Sequence, residues 1–188
     1  MFECQSKALA TTLALDPLHG IHLGIMMRFV VFCLWLIVDA DAYGMGCSTD
    51  MERMLGNVWH MRAELWTHYQ NMRRKVTEAG GRYNVTELGN LTYKMLGDRD
   101  ALKMKAKAAQ TLGLLPFVIM LLRKFSNTLG DVGMNCLAAG EALMRFMDIL
   151  KESGRVLSNS ALQETYKKRC LLFLFLTSVK LFDRHKRI

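Results

Sequence analysis

Ten consecutive apolar residues, Phe29 to Val38, decide how much of this chain is available to fold. Arg28 precedes them and Ala40-Asp41-Ala42 follows. A basic flank, a short apolar core and an A-x-A triplet make the layout of a secretory signal peptide. A bilayer span needs roughly 20 apolar residues, so ten are too few to cross one. The expectation is cleavage after Ala42, with residues 1–42 as leader and 43–188 as the mature domain. A 42-residue signal is long, whereas one starting at Met26 or Met27 has the usual length, so the reading places the start of translation there.

Removing residues 1–42 takes away two basic side chains (Lys7, Arg28) and four acidic ones (Glu3, Asp16, Asp39, Asp41), which raises the net charge from +8 to +10. That balance favours acidic partners, although the basic residues are scattered rather than clustered. Cys4 and Cys33 leave with the leader on this reading. Cys47, Cys136 and Cys170 stay, enough for one disulfide and a leftover thiol open to a disulfide-linked dimer. Their spacing fits no zinc site.

The rest of the chain has helical periods and no convincing strand period. Thr49 to Glu52 fits a capping box opening a helix of about 28 residues, ended by Gly80-Gly81. Its apolar stripe runs through Met51, Met54, Leu55, Val58, Leu65, Tyr69, Met72 and Val76, widened by Trp59, Met61 and Trp66. Val85, Leu88, Leu91 and Met95 suggest a second helix ending at Gly97. Asp98 or Asp100 can cap a third, in which Lys103, Lys105 and Lys107 alternate with Leu102, Met104 and Ala106. That alternation looks strand-like, but Ala, Lys and Met are helix formers, and helix is the expectation.

Ala108 to Leu122 is nearly all apolar and reads as a buried central helix, with Pro116 as a kink or a fresh first turn. Ser126 to Gly130 reads as a loop. Asp131 starts a helix through Cys136, Ala139, Leu143, Met147 and Leu150, stopped at Gly154. A last helix follows from Ser160 through Leu162, Tyr166, Cys170, Phe173 and Val179. The fold expected is all-α: a single up-and-down bundle of four to six helices, similar in architecture to the four-helix cytokines.

Two N-x-[ST] sequons, at Asn84 and Asn90, gain meaning if the chain enters the secretory route. Catalytic patterns are missing: there is no HExxH, GxSxG, P-loop or GxGxxG. His60 and His68 lie eight residues apart on one helix, about 12 Å along its axis, too far to share a metal ion. Glu64 sits four residues from each and reads as a surface partner for one of them. The methionines read mainly as core fillers.

The function expected is a secreted, N-glycosylated, non-enzymatic extracellular ligand, cytokine-like or growth-factor-like, without cofactor or metal. Its partner would be a cell-surface receptor or other extracellular protein, or a polyanion such as glycosaminoglycan; nucleic acid is not expected. Contact residues would be Arg62, Arg73 and Arg74 on the first helix and Lys167, Lys168 and Arg169 on the last, the faces furthest from the sequons in sequence. Arg184, Lys186 and Arg187 in the tail either favour a helix dipole or contact an acidic patch. The alternative is a cationic membrane-active or matrix-binding protein of host defence, venom or gamete interaction, supported by the charge beside the apolar segments 114–122 and 171–182. A third reading keeps Phe29 to Val38 as a membrane anchor.

Overall fold

Phe29 to Val38 presents no charged group to water, and the chain folds around it. In the computed structural model, which describes residues 24–46, 49–99 and 101–153, the segment lies in helix α1, Met27–Asp39, and all ten residues are buried. A helix that is apolar all round is one enclosed by other elements. The enclosure comes from α2 (Asp50–Glu78), α4 (Ala108–Lys124) and α5 (Ser126–Ser153), with the single-turn α3 (Tyr93–Leu96) beside them. All regular structure among the described residues is helical, in agreement with the all-α expectation.

The Ala40-Asp41-Ala42 triplet folds α2 back onto α1. Asp41 (φ 45) and Gly44 (φ 67) take left-handed backbone to reverse the chain. The Asp41 carboxylate then holds the reversal: Oδ1 accepts from the Met45 N–H (3.1 Å) and from Asn57 Nδ2 (2.8 Å), and Oδ2 accepts from the Gly46 N–H (3.0 Å). Asn57 is a fully buried amide in α2. It also donates to the Arg53 carbonyl (2.8 Å) and accepts from the Tyr43 N–H (3.4 Å), so its polar atoms are satisfied.

α2 starts as expected at Thr49, whose Oγ1 accepts from the Glu52 N–H (3.2 Å). The Glu52 carboxylate in turn accepts a hydrogen bond from the Thr49 hydroxyl (3.0 Å). Gly80 (φ 71) follows its last turn. Val58, Met61, Leu65 and Tyr69 face the core.

Between α2 and α4 two expected helices do not form. Residues 81–92 are extended, and only Tyr93–Leu96 is helical. The β-branched Val85, Thr86 and Thr92, together with Gly89, disfavour helix here. Extended chain instead buries both Leu88 and Leu91, and lets the Leu88 N–H donate to Tyr69 Oη (3.3 Å). The Thr86 carbonyl rests on α4 at Gly113, where a Cβ would come within 2.5 Å of it.

Residues 102–107 likewise form no helix, with Leu102 at φ 44 and a bend at Lys105-Ala106, and their burial follows the period-two pattern. Met104 is buried, Leu102 and Ala106 are half-buried, and Lys103, Lys105 and Lys107 are exposed. The Lys105 N–H is taken by the Met95 carbonyl (2.9 Å). Here alternation outweighs the helix propensity of the individual residues.

α4 is the enclosed helix expected, with Leu114, Leu115, Phe117, Val118, Leu121 and Leu122 buried and Pro116 inside it. α5 begins earlier than expected, at Ser126. The loop foreseen over 126–130 shrinks to one non-helical residue, Gly130 (φ 55, ψ −148). Cys136, Ala139, Leu143 and Met147 face the core. At Gly140 the helices approach closely: a Cβ would lie 2.9 Å from Phe29 Cζ and 3.0 Å from Ile119 Cγ1. The last helix expected from Ser160, and the basic tail, lie outside the described residues.

Candidate functional site

α2 carries more apolar surface than the core can take. At 100° per residue its apolar stripe covers about 160° of arc, well beyond the roughly 100° that a surface helix buries. The surplus faces solvent as a second stripe: Met51 (56% exposed), Leu55 (44%), Trp59 (64%) and Trp66 (62%). Isolated exposed apolar residues are ordinary, but two tryptophans two turns apart on one face make a contiguous apolar patch.

The extended segment after α2 turns this stripe into a recess. Glu87 to Leu91 lies along the helix, and a space of about 710 Å³ opens between it and Trp59, Arg62 and Trp66. Leu65 and Tyr69 form part of the lining. Glu87 is held by Arg73 (2.9 Å), which also lies over the Tyr83 ring (5.4 Å). Among the described residues no carboxylate pairs with Arg62. The recess therefore presents aromatic walls with an uncompensated cation at its edge.

Of the expected contact residues, only Arg62 lines this recess. Arg73 is tied to Glu87, and Arg74 to Glu78 (3.8 Å) and Asn71 (3.4 Å). Lys167, Lys168, Arg169, Arg184, Lys186 and Arg187 lie outside the described residues, as do Cys47 and Cys170. Asn84 and Asn90 are both exposed, in extended chain rather than on the helix expected there. Asn90 lines the same recess as the tryptophans. This corrects the expectation that the first helix presents a face remote from the sequons: distance in sequence is cancelled when residues 87–91 fold back along α2.

A second polar cluster lies where α2 crosses α4. Tyr43 stacks on His60 (centroids 5.1 Å, 15°) and meets Phe125 edge-on (4.8 Å). Lys124 lies over both Tyr43 and Phe125 and pairs with Glu64. Glu64 thus partners a lysine across the core, in place of the histidine expected on its own helix. The Tyr43 hydroxyl is buried beside Glu64 but outside hydrogen-bonding geometry, and burial, then the Glu64 charge, push its pKa far up.

His68 points the other way, against Phe117 (5.6 Å), with Nε2 buried and without a hydrogen-bond partner. Burial, and secondarily Lys75, lower its pKa below the ordinary 6.5. The fold prefers the neutral ring, so this contribution to stability is complete above pH 6.5 and is lost as pH falls through the lower folded value. Thermal melts from pH 7 to 5 are expected to show a falling Tm that flattens in His68→Phe. An equal slope in the variant would remove His68 as the cause.

No family model, no curated protein and no solved structure matches this chain. Among the described residues no helix is long and apolar enough to cross a membrane, and no group of three His, Cys, Asp or Glu side chains could hold a metal ion.

Proposed function

We infer that this chain is a non-enzymatic helical recognition protein, and that it binds an acidic, apolar segment of a partner protein in the recess beside α2. The observation that carries the reading is the pair Trp59 and Trp66, both more than 60% exposed, flanking the unpaired Arg62. Tryptophan and arginine are the residue types that most often dominate binding energy at protein interfaces. Aromatic walls suit a peptide segment better than a bare polyanion, and the Arg62 charge with the net charge of +8 selects acidic residues within it.

The extracellular setting is part of the proposal. Exposed Asn84 suits acceptance of a glycan, whereas a glycan on Asn90 would fill the recess that Asn90 lines, so Asn90 is unmodified on this proposal. Burial of α1 supports a form that keeps residues 27–39, so the segment would act as an uncleaved part of the domain. An up-and-down, cytokine-like arrangement is the finer proposal. The membrane-active alternative draws less support, because the apolar side chains of 114–122 are enclosed.

Selection of a displayed random-peptide library on the full chain tests the recess. Enriched peptides are expected to combine aromatic or aliphatic residues with Asp or Glu. Trp59→Ala and Trp66→Ala should each weaken them about 30-fold or more, as for interface hot spots. Because both rings are exposed, Tm should stay nearly unchanged. Peptides that bind both variants as well as the parent would place recognition elsewhere.

A further inference from the structure

The recess leaves unused a pair of thiols at the centre of the molecule. Cys33 in α1 and Cys136 in α5 are both fully buried in the one hydrophobic core. The packing places them together. Phe29 of α1 lies against α5 at Gly140, and Cys33, one turn on from Phe29, neighbours Cys136, one turn back from Gly140, which is the register of two helices running in opposite directions. Cys33 and Cys136 are therefore neighbours across the contact between α1 and α5, both fully buried. Gly140 permits this approach, since any larger residue there would press on Phe29 and Ile119.

We propose that Cys33 and Cys136 form a disulfide that ties α1 to α5 when the chain folds in an oxidising medium, and remain a buried dithiol when it folds in a reducing one. The co-reactant is a small-molecule or protein disulfide. One cysteine thiolate attacks the oxidant's S–S bond, forming a mixed disulfide and releasing half of the oxidant as thiolate. The second cysteine thiolate then attacks the cysteine sulfur of the mixed disulfide and releases the other half. Two electrons pass to the oxidant, and the two protons given up by the cysteines go to the released thiolates. Neither sulfur is exposed once α1 is enclosed, and burial, followed by the neighbouring Cys136, raises the Cys33 pKa. Exchange therefore belongs to the folding stage, and the folded molecule retains the redox state in which it closed.

The bond is independent of the recess and of its partner. It also differs from the pairing expected within Cys47, Cys136 and Cys170, because it uses a cysteine the leader reading removes. The test is refolding of the reduced full chain in a buffer of glutathione and glutathione disulfide, followed by alkylation and peptide mapping without reductant. The expected result is a cross-linked peptide holding Cys33 and Cys136, with a Tm roughly 5–15 °C above that of the reduced protein. Cys33→Ala should abolish the rise, whereas Cys47→Ala and Cys170→Ala should keep it. Mapping of the unsubstituted chain stands alone if Cys33→Ala fails to fold. Cys136 linked to Cys47 or Cys170, or Cys33 and Cys136 both recovered alkylated, would overturn the proposal.

Discussion

A chain beginning at Tyr43 is expected not to reach the fold described here. Removing the preceding residues takes away α1, whose ten residues from Phe29 to Val38 are all buried. Full burial of one large apolar side chain stabilises by about 1.5–3 kcal/mol. A domain of this size has only about 5–15 kcal/mol in hand, so several such losses together exceed the whole. α2, α4 and α5 would be left facing the space α1 filled, with Ile119 of α4 and the close-packed surface around Gly140 of α5 opened to water. Circular dichroism and thermal melting of residues 43–188 beside the full chain measure this. Broad melting and binding of a hydrophobic dye are expected for the shorter form. A cooperative melt at the parent Tm would show that the domain is complete without α1, as a cleaved signal peptide requires.

Asp41→Ala is expected to destabilise the full chain by about 2–4 kcal/mol. The substitution removes the acceptor for two backbone N–H groups and leaves the buried Asn57 amide without one of its partners. Alanine at φ 45 adds backbone strain, since the short polar side chains of Asp and Asn tolerate that region better. The ionised carboxylate is what these donors prefer. The Asn57 hydrogen bond first, and then those from Gly46 and Met45 and the Arg53 charge, lower the Asp41 pKa below 3.8 against a smaller opposing effect of burial. Its stabilising effect is therefore complete above that value and is lost as pH falls through the lower folded pKa. Urea melts at pH 7 and pH 3 should show a larger acid loss in the parent than in Asp41→Ala. Equal losses would mean that Asp41 is not ionised in the fold or not held by it.

The same residues explain how far the sequence could be read. The Thr49 cap and the Gly80 stop were legible because each rests on local chemistry: a side-chain oxygen for a free N–H, and a residue that accepts positive φ. The enclosed helix over 108–122 was legible because so few of its residues are polar. Val85, Leu88, Leu91 and Met95 have helical spacing, but only Tyr93–Leu96 takes it up, because burial of Leu88 and the course of residues 84–92 depend on Tyr69 and Gly113, far away in sequence. At 102–107 the period was visible and propensity was given the greater weight.

Phe29 to Val38 reads as a leader in the sequence and is the buried helix α1 in the full-chain fold. A signal sequence and a central core helix make the same demand on side chains, and the comparison of residues 43–188 with the full chain is what separates them. The recess had one readable signal, the excess width of the apolar arc on α2, which puts Trp59 and Trp66 outside the core stripe. Its other wall, Glu87 to Leu91, came from a segment whose conformation was misassigned.

The position of α1 bears on synthesis. Its packing partners in α4 and α5 are encoded about 70 to 110 residues later, so at 5–20 residues per second α1 waits roughly 4–20 s for them. Through that interval only α2 is available to cover one side of an apolar helix on the ribosome, and any factor that captures emerging hydrophobic segments meets it before α4 and α5 exist. Which comes first, that capture or the arrival of α4, becomes a matter of translation rate, and slowing elongation between residues 40 and 108 would favour capture.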